Sequence, residues 1–162
     1  MTTRIGFRRA SFAAAVALLM LAPPSRAGEI GAFLSLPTPT RDWGTGFGFH
    51  AAVISLPFLQ AGGEFARVKS DDTLVSLETY TAQVELNPPS LGVSPFVGLG
   101  VGAYRQKFGS AGDWGSVNAI FGGVRVPIGA ARLRAEFRKS SLSGTPRLRT
   151  DKRFSLGISL GF

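Results

Sequence analysis

Residues 153–162 have the sequence RFSLGISLGF, in which apolar side chains alternate with small or polar ones up to the last residue. The apolar members of the alternation are Phe154, Leu156, Ile158, Leu160 and Phe162. A repeat of two residues is typical of a β-strand, because successive side chains point to opposite faces of the sheet. The segment therefore predicts a strand with one apolar face and one face of small and polar residues.

The same period of two recurs along the chain after residue 28, and no segment there has an apolar stripe at helical spacing. Helices are therefore not expected. Clear alternation is found at residues 30–34, 45–53, 80–86, 97–104 and 131–138. The segment 59–68 is less regular because Arg67 falls on its apolar side. In segment 117–126 the favoured face changes near Gly122 and Gly123, where we predict a β-bulge.

Turn-forming residues separate these segments. They cluster at residues 37–42, 55–57, 70–73, 87–92, 109–113, 127–130 and 140–149. Seven breaks divide the chain into eight strands, and an even number of strands closes an up-and-down barrel with both termini at one end. Closure leaves no sheet edge exposed. The expected fold class is all-β, an eight-stranded antiparallel up-and-down β-barrel.

The first 27 residues have the features of a secretory signal peptide. Arg4, Arg8 and Arg9 precede an apolar run at residues 12–22, and Ser25-Arg26-Ala27 offers small residues to a signal peptidase. Pro23 and Pro24 end the run well before the ~20 apolar residues that a membrane helix needs. We predict cleavage after Ala27, which leaves residues 28–162 as one exported barrel domain.

Charge and cysteine content exclude several functions. Of the 18 Lys and Arg residues behind the net charge of +8, four lie in the leader, which leaves 14 basic against 10 acidic residues. These charges alternate with apolar residues rather than clustering, so nucleic-acid binding is not expected. Cysteine is absent, which excludes disulfides and thiolate chemistry.

The direction of the apolar face separates a soluble barrel from a membrane barrel. A soluble periplasmic ligand-binding barrel would turn its apolar face inward, and the strands alone permit this alternative. The opposite face, however, is dominated by Gly, Ser, Thr and Ala rather than by the Lys and Glu that solubilise a surface. Small residues fit the narrow lumen of an eight-stranded barrel. We therefore expect a transmembrane β-barrel with its apolar face in lipid.

Charged residues on the polar face are expected to pair inside the barrel, where side chains of both signs neutralise one another. The expected lumen charge network consists of Glu29, Glu64, Glu85, Arg132, Arg134, Glu136, Arg138 and Arg153. Such a network predicts a lumen filled by side chains, with no open pore.

The signal peptide, the eight alternating strands and the terminal segment Phe154 to Phe162 resemble the small outer-membrane barrels of the OmpA/OmpX and opacity-protein type. The resemblance covers nearly all of residues 28–162. It implies location in the cell outer membrane, contact with outer-membrane lipid and lipopolysaccharide, and a monomer. It also implies that the barrel-assembly machinery recognises the strand bearing Phe154, Leu156, Ile158, Leu160 and Phe162. With the termini in the periplasm, the connections at residues 37–42, 70–73, 109–113 and 140–149 would lie at the outward end of the barrel. These outward loops are short, which does not favour a long-looped adhesin.

An enzymatic alternative depends on His50, the single histidine, which we place on the lumen face of the second strand. Some barrels of this size act on lipid A, and a hydrolase would need a nearby serine and a carboxylate. The lipid A deacylases carry a serine two residues after the histidine, where this chain has Ala52. A lipid A modifying hydrolase is therefore the alternative, and a structural, non-enzymatic barrel without cofactor or metal is the prediction.

Two groups are expected near the outward ends of the strands. The aromatic residues Trp43, Tyr104, Phe108 and Trp114 would place rings in the headgroup layer or pack at strand ends. The basic residues Lys139, Arg147, Arg149 and Lys152 surround the last outward loop. They are typical of a solvated loop, and they would also attract lipopolysaccharide phosphates.

Overall fold

The computed structural model describes residues 28–36, 44–69, 75–88, 92–109, 111–144 and 149–162. These residues form eight strands and no helix. The strands are β1 (Glu29–Leu36), β2 (Gly46–Ser55), β3 (Leu59–Lys69), β4 (Val75–Leu86), β5 (Ser94–Phe108), β6 (Ala111–Ile128), β7 (Ala131–Leu142) and β8 (Thr150–Gly161). Each strand pairs antiparallel with its sequence neighbours in a closed barrel, which confirms the predicted fold class. No helix of the described residues is long and apolar enough to cross a membrane.

The first and last strands close the barrel. Their register runs from Glu29 opposite Gly161 to Leu36 opposite Phe154. Beyond the strands, the Gly28 amide donates to the Phe162 carbonyl at 2.9 Å, and the Phe162 amide donates to the Gly28 carbonyl at 3.1 Å. Both ends of residues 28–162 therefore lie at the same end of the barrel.

Two hairpins are tighter than the sequence suggests. The β5–β6 ladder continues to the pair Phe108 and Ala111, so that Asp113 belongs to a strand rather than to a turn. The β6–β7 ladder likewise extends to Ile128 opposite Ala131. Gly109 (φ 57°) and Gly129 (φ 61°) adopt the left-handed conformation that such short connections require.

The β-bulge predicted near Gly122 and Gly123 is wrong. The ladders on both sides of β6 pass through these residues without a shift of register. The irregularity lies instead between Ala52 and Ile54, where β2 pairs with β3. The alternation of β6 is obscured because it carries apolar residues on both faces, with Phe121 buried inside and Ile120 54% exposed outside.

Apolar side chains cover the outside of the barrel, and charged side chains are buried inside it. On β8, Ile158 and Leu160 are more than half exposed. Arg153, nearer the outward end of the same strand, is 2% exposed. On β7, Phe137 is exposed and Arg138 is buried. A soluble ligand-binding barrel requires the opposite orientation, so the structure does not favour that alternative.

Candidate functional site: the barrel interior

The period of two sends every second residue of each strand into the lumen. The structure places all eight members of the predicted charge network on this inner face. Seven of them are buried, namely Glu29, Glu64, Glu85, Arg134, Glu136, Arg138 and Arg153. Arg132, whose side chain is 32% exposed, lies at the mouth near the termini.

Glu64 joins three strands across the lumen. Its carboxylate accepts a hydrogen bond from Arg138 Nη2 at 2.6 Å and another from Arg153. Arg138 on β7 and Arg153 on β8 are directly opposite each other in the ladder. Like charges in that position repel, so the shared carboxylate from β3 offsets the repulsion.

Arg134 and Glu136 occupy the middle of the network. Arg134 Nε donates to Glu136 at 3.1 Å, and Arg134 Nη2 donates to Glu85 at 2.9 Å. The other oxygen of Glu136 accepts from Arg138 Nε at 2.8 Å. Each buried charge therefore has a partner of opposite sign, which is the condition for keeping ions inside a barrel.

At the terminal end of the lumen, Glu29 is surrounded by donors. Arg132 Nη1 donates to it at 2.7 Å, His50 Nε2 lies 3.4 Å away, and Arg125 Nε lies 3.6 Å away. Arg125 also donates to Glu85 and, at 2.7 Å, to the Asn87 side chain.

Sequence reasoning missed Arg125 and Asp151. Arg125 was hidden by the irregular pattern of β6, although its position at an even distance from Val117 places it on the inner face. Asp151 lies two residues before Arg153 on the same face and is fully buried, 4.0 Å from the Arg153 Nε. The spacing of two residues between Asp151 and Arg153 was the signal that could have placed Asp151 on the inner face.

Two arginine guanidinium groups lie over the rings of inward-facing phenylalanines. The guanidinium carbon of Arg134 is 4.0 Å from the Phe96 ring centre, and that of Arg138 is 4.2 Å from the Phe121 ring centre. Such cation–π contacts are stronger where water is excluded. The network is therefore held by rings as well as by carboxylates.

An apolar cluster occupies the inside of the outward end. It consists of Val68, Val75, Leu77, Tyr104, Val117 and Leu142. Tyr104 is fully buried there and donates its hydroxyl to the Ser143 carbonyl at 3.1 Å. Of the two roles expected for this group, Tyr104 therefore packs at the strand end and does not lie in the headgroup layer, because the residue falls on the inner face of β5.

The other aromatic residues of that group lie elsewhere. Trp114 is 61% exposed and Phe108 37% exposed near the outward end. Trp43 lies outside the described residues, as does Arg147 of the basic group. Lys139 and Lys152 of that group are directly opposite each other in the β7–β8 ladder.

His50 is buried, with the Glu29 carboxylate 3.4 Å from Nε2 and the Phe33 ring stacked at 6.5 Å. Its Nδ1 has no hydrogen-bond partner among the described residues. Ala52, at the position where a deacylase has serine, lines a small cavity together with His50. The described residues contain no group of three or more side chains suited to hold a metal ion.

The terminal strand presents its apolar residues outward. On the outer side of β8 or just beyond it, five apolar residues are exposed, namely Phe154, Leu156, Ile158, Leu160 and Phe162. Their recognition by assembly machinery stays a prediction.

No protein-family model matches the sequence, and no curated protein sequence matches it. Among solved structures, the chain is similar to Neisserial surface protein A, with 16% identity, a TM-score of 0.65, and coverage of 83% of this chain and 95% of that one. It is similar to the N-terminal β-barrel domain of Pseudomonas aeruginosa OprF, with 12% identity, a TM-score of 0.63, and coverage of 85% and 98%.

A third similar structure is the attachment invasion locus protein Ail of Yersinia pestis, in complex with the heparin analogue sucrose octasulfate. It has 19% identity and a TM-score of 0.53, with coverage of 83% of this chain and 96% of that one. All three are small eight-stranded outer-membrane β-barrels. The resemblance expected from the sequence is thus confirmed at the level of the fold.

Proposed function

We propose that this chain is a structural, non-enzymatic protein of the cell outer membrane, a barrel whose lumen is filled by side chains. The observation that carries the proposal is the inverted polarity of the barrel, with apolar side chains outside and ion pairs inside. In lipid, the backbone groups of all strands must pair internally, and a closed barrel meets this requirement. The fold shared with outer-membrane barrels supports the same location.

A lumen without an open pore is supported by two barriers in series. The charge network crosses the lumen between β3 and β7 through Glu64 and Arg138, and the apolar cluster around Leu77 and Tyr104 follows toward the outward end. Two interior cavities, one lined by Phe33 and Arg134 and one by His50 and Arg125, have volumes of about 10 Å³ each. Such cavities hold about one water molecule.

Planar-bilayer recording tests the closed lumen. The refolded barrel is expected to give no stable conductance steps of porin size. Reproducible steps of that size would show that the two barriers open, and would refute this part of the proposal.

Cell fractionation tests the location. We expect the chain, after removal of the predicted leader at residues 1–27, in the outer-membrane fraction as a monomer. It should also migrate differently on a gel with and without heating, because folded barrels resist detergent until heated. Recovery in the soluble periplasmic pool would overturn the proposal.

Partners are proposed on the same basis. The exposed apolar faces would contact outer-membrane lipid and lipopolysaccharide, and the terminal strand would be bound by the barrel-assembly machinery.

The absence of enzymatic activity is tested by incubating the folded barrel with lipopolysaccharide and measuring the mass of lipid A by mass spectrometry. Unchanged lipid A is expected, and deacylated lipid A would point to His50 instead.

A further inference from the structure

Charge is distributed unevenly over the outer face of the barrel. On the described strands, every charged residue at an outward-facing position lies toward the end opposite the termini. These residues are Arg67, Lys69, Glu78, Arg105, Lys107, Lys139 and Lys152. Six cations and one anion therefore border the apolar belt at one end only, which indicates an anionic layer at that end.

Glu78 and three of the cations, Arg67, Arg105 and Lys107, form a cluster. In the ladders, Glu78 is directly opposite Arg67 on β3 and Arg105 on β5. Lys107 Nζ donates to the Glu78 carboxylate at 3.0 Å, and Arg67 Nε lies 3.7 Å from it. One carboxylate among three cations leaves a surplus of positive charge. We call these four residues the Glu78 cluster.

Two atoms of the Glu78 cluster lack acceptors. The Nε atoms of Arg67 and Arg105 are shielded from solvent and have no hydrogen-bond partner within the described part of the chain. The side chains as a whole are accessible, since that of Arg67 is 41% exposed and that of Lys107 is 32% exposed. A ligand rich in acceptor oxygens would reach the exposed parts of these cationic side chains.

A row of aromatic rings adjoins the Glu78 cluster on the outer face. Tyr80 stacks on Trp114 at 6.2 Å and contacts Phe65 at 5.1 Å, and Phe65 contacts Phe47 at 6.4 Å. The Arg105 guanidinium lies 5.6 Å from the Trp114 ring centre. Tyr and Trp rings favour the boundary between hydrocarbon and headgroups, so the neighbouring cations lie at headgroup depth.

An open groove lies beside Arg67, between the outward ends of β1, β2 and β3. It is lined by Leu34, Thr45, Gly46, Phe47, Arg67 and Lys69. Leu34 and Phe47 make one part of its surface apolar, and Arg67 and Lys69 make the other part cationic. A ligand that fits both parts has an anionic head and a hydrocarbon chain.

We propose that the Glu78 cluster and this groove form a binding site for the phosphorylated sugar headgroup of an outer-leaflet glycolipid, the lipid A class. The proposal rests on the proposed function, because it requires the barrel to lie in the outer membrane. Arg67 takes a phosphate with its guanidinium fork, Lys69 and Lys107 add charge, and Phe47 and Leu34 pack against an acyl chain. The site faces the membrane side of the barrel, where a glycolipid reaches it laterally.

Native mass spectrometry of the full folded barrel in neutral sugar-detergent micelles tests the site. Four probes are titrated: lipid A with both phosphates, the same lipid without phosphates, phosphatidylglycerol, and inorganic phosphate. A bound adduct with bisphosphorylated lipid A, and much weaker binding of the other three, is expected. Equal binding of the phosphate-free lipid would reduce the interaction to apolar adsorption and overturn the proposal. Equal binding of phosphatidylglycerol or inorganic phosphate would overturn the assignment to a glycolipid.

Two variants locate the site. Arg67→Gln removes the cation shared by the groove and the Glu78 cluster, and we expect about tenfold weaker binding of bisphosphorylated lipid A, as for loss of one charge-assisted contact. Lys152→Gln removes one cation from another part of the same rim and should weaken binding much less. An equal loss in both variants would mean that the total charge of the rim attracts the lipid, which contradicts a built site.

Two controls distinguish loss of the glycolipid site from a barrel that is not folded in the outer membrane. Both variants are first shown to be folded by their heat-dependent gel migration and to fractionate with the outer membrane. A barrel that passes these two checks but does not prefer bisphosphorylated lipid A retains the proposed function and lacks the site.

Discussion

Single glycines decide whether the lumen can hold its aromatic rings. Gly98 on β5 faces inward against the ring of Phe121, on which the Arg138 guanidinium rests. A side chain at residue 98 would overlap that ring and approach the Val84 carbonyl oxygen at 2.6 Å. Glycine at this position therefore makes room for the Phe121 ring, which contacts the guanidinium of the buried Arg138.

We expect Gly98→Ala to lower the free energy of unfolding by about 1–3 kcal/mol, the usual cost of overpacking. Gly100→Ala is the matched control on the same strand and face, because its added methyl meets its nearest neighbour at 3.5 Å. Urea titration of both variants in micelles measures the difference. Equal stability of the two variants would show that the contact with Phe121 relaxes freely.

Glu64 is the carboxylate whose loss should cost the most. Glu64→Gln would leave Arg138 and Arg153, both at most 2% exposed, without their shared counter-charge. Breaking one partner of a buried ion pair costs about 3–5 kcal/mol. Asp113→Asn, at an exposed position, should change stability by less than about 0.5 kcal/mol. Urea unfolding compares them, and a near-neutral Glu64→Gln would mean that water replaces the carboxylate.

Among the strands, β8 combines two roles. It closes the barrel against β1 along the whole ladder from Leu36 to Glu29, and it presents an apolar row ending at Phe162. The closing hydrogen bonds at Phe162 are made by its backbone to Gly28, whereas its side chain is 69% exposed. Closure of the barrel therefore does not depend on the ring, and the ring remains available for recognition.

This separation makes the proposed assembly signal testable. Phe162→Ser should leave refolding of the purified barrel into micelles intact, since the backbone pairing with Gly28 persists. In cells, the same substitution should reduce the folded barrel in the outer membrane several-fold. Phe58→Ser, which alters an exposed ring in the β2–β3 turn at the same end, is the control. Equal loss in cells for both variants would argue against a specific signal at the terminal residue.

The whole barrel has two chemically different ends. The end with Gly28 and Phe162 has an outer face free of charge on the described strands, while the opposite end bears the six outward-facing cations of β3, β5, β7 and β8. Inside, the charge network gives way to the apolar cluster toward the cationic end. From these features we expect the termini to lie in the periplasm and the cationic end to face outward, if the barrel lies in the outer membrane as proposed.

Epitope insertion tests this orientation. An epitope placed after Gly144, in the β7–β8 connection, should bind antibody on intact cells. An epitope placed after Gly129, in the β6–β7 turn, should bind only after the outer membrane is permeabilised, because that turn lies at the end with the termini. Surface labelling at Gly129 and protection at Gly144 would reverse the assignment.

Alternation of apolar and polar residues, together with the turn-forming breaks, was enough to predict the eight strands, the closed barrel and the inner face of the eight predicted network residues, because the pleat of a strand is a local property. Contacts between distant strands were not predictable in this way. Arg138 meets Glu64, 74 residues away in sequence, only because closure and strand tilt bring β3 opposite β7. The same global geometry pairs Arg125 with Glu85 and places the bulge beside Ala52. The chain therefore encodes locally which side chains point inward, and the register and tilt of the closed barrel decide which of them meet.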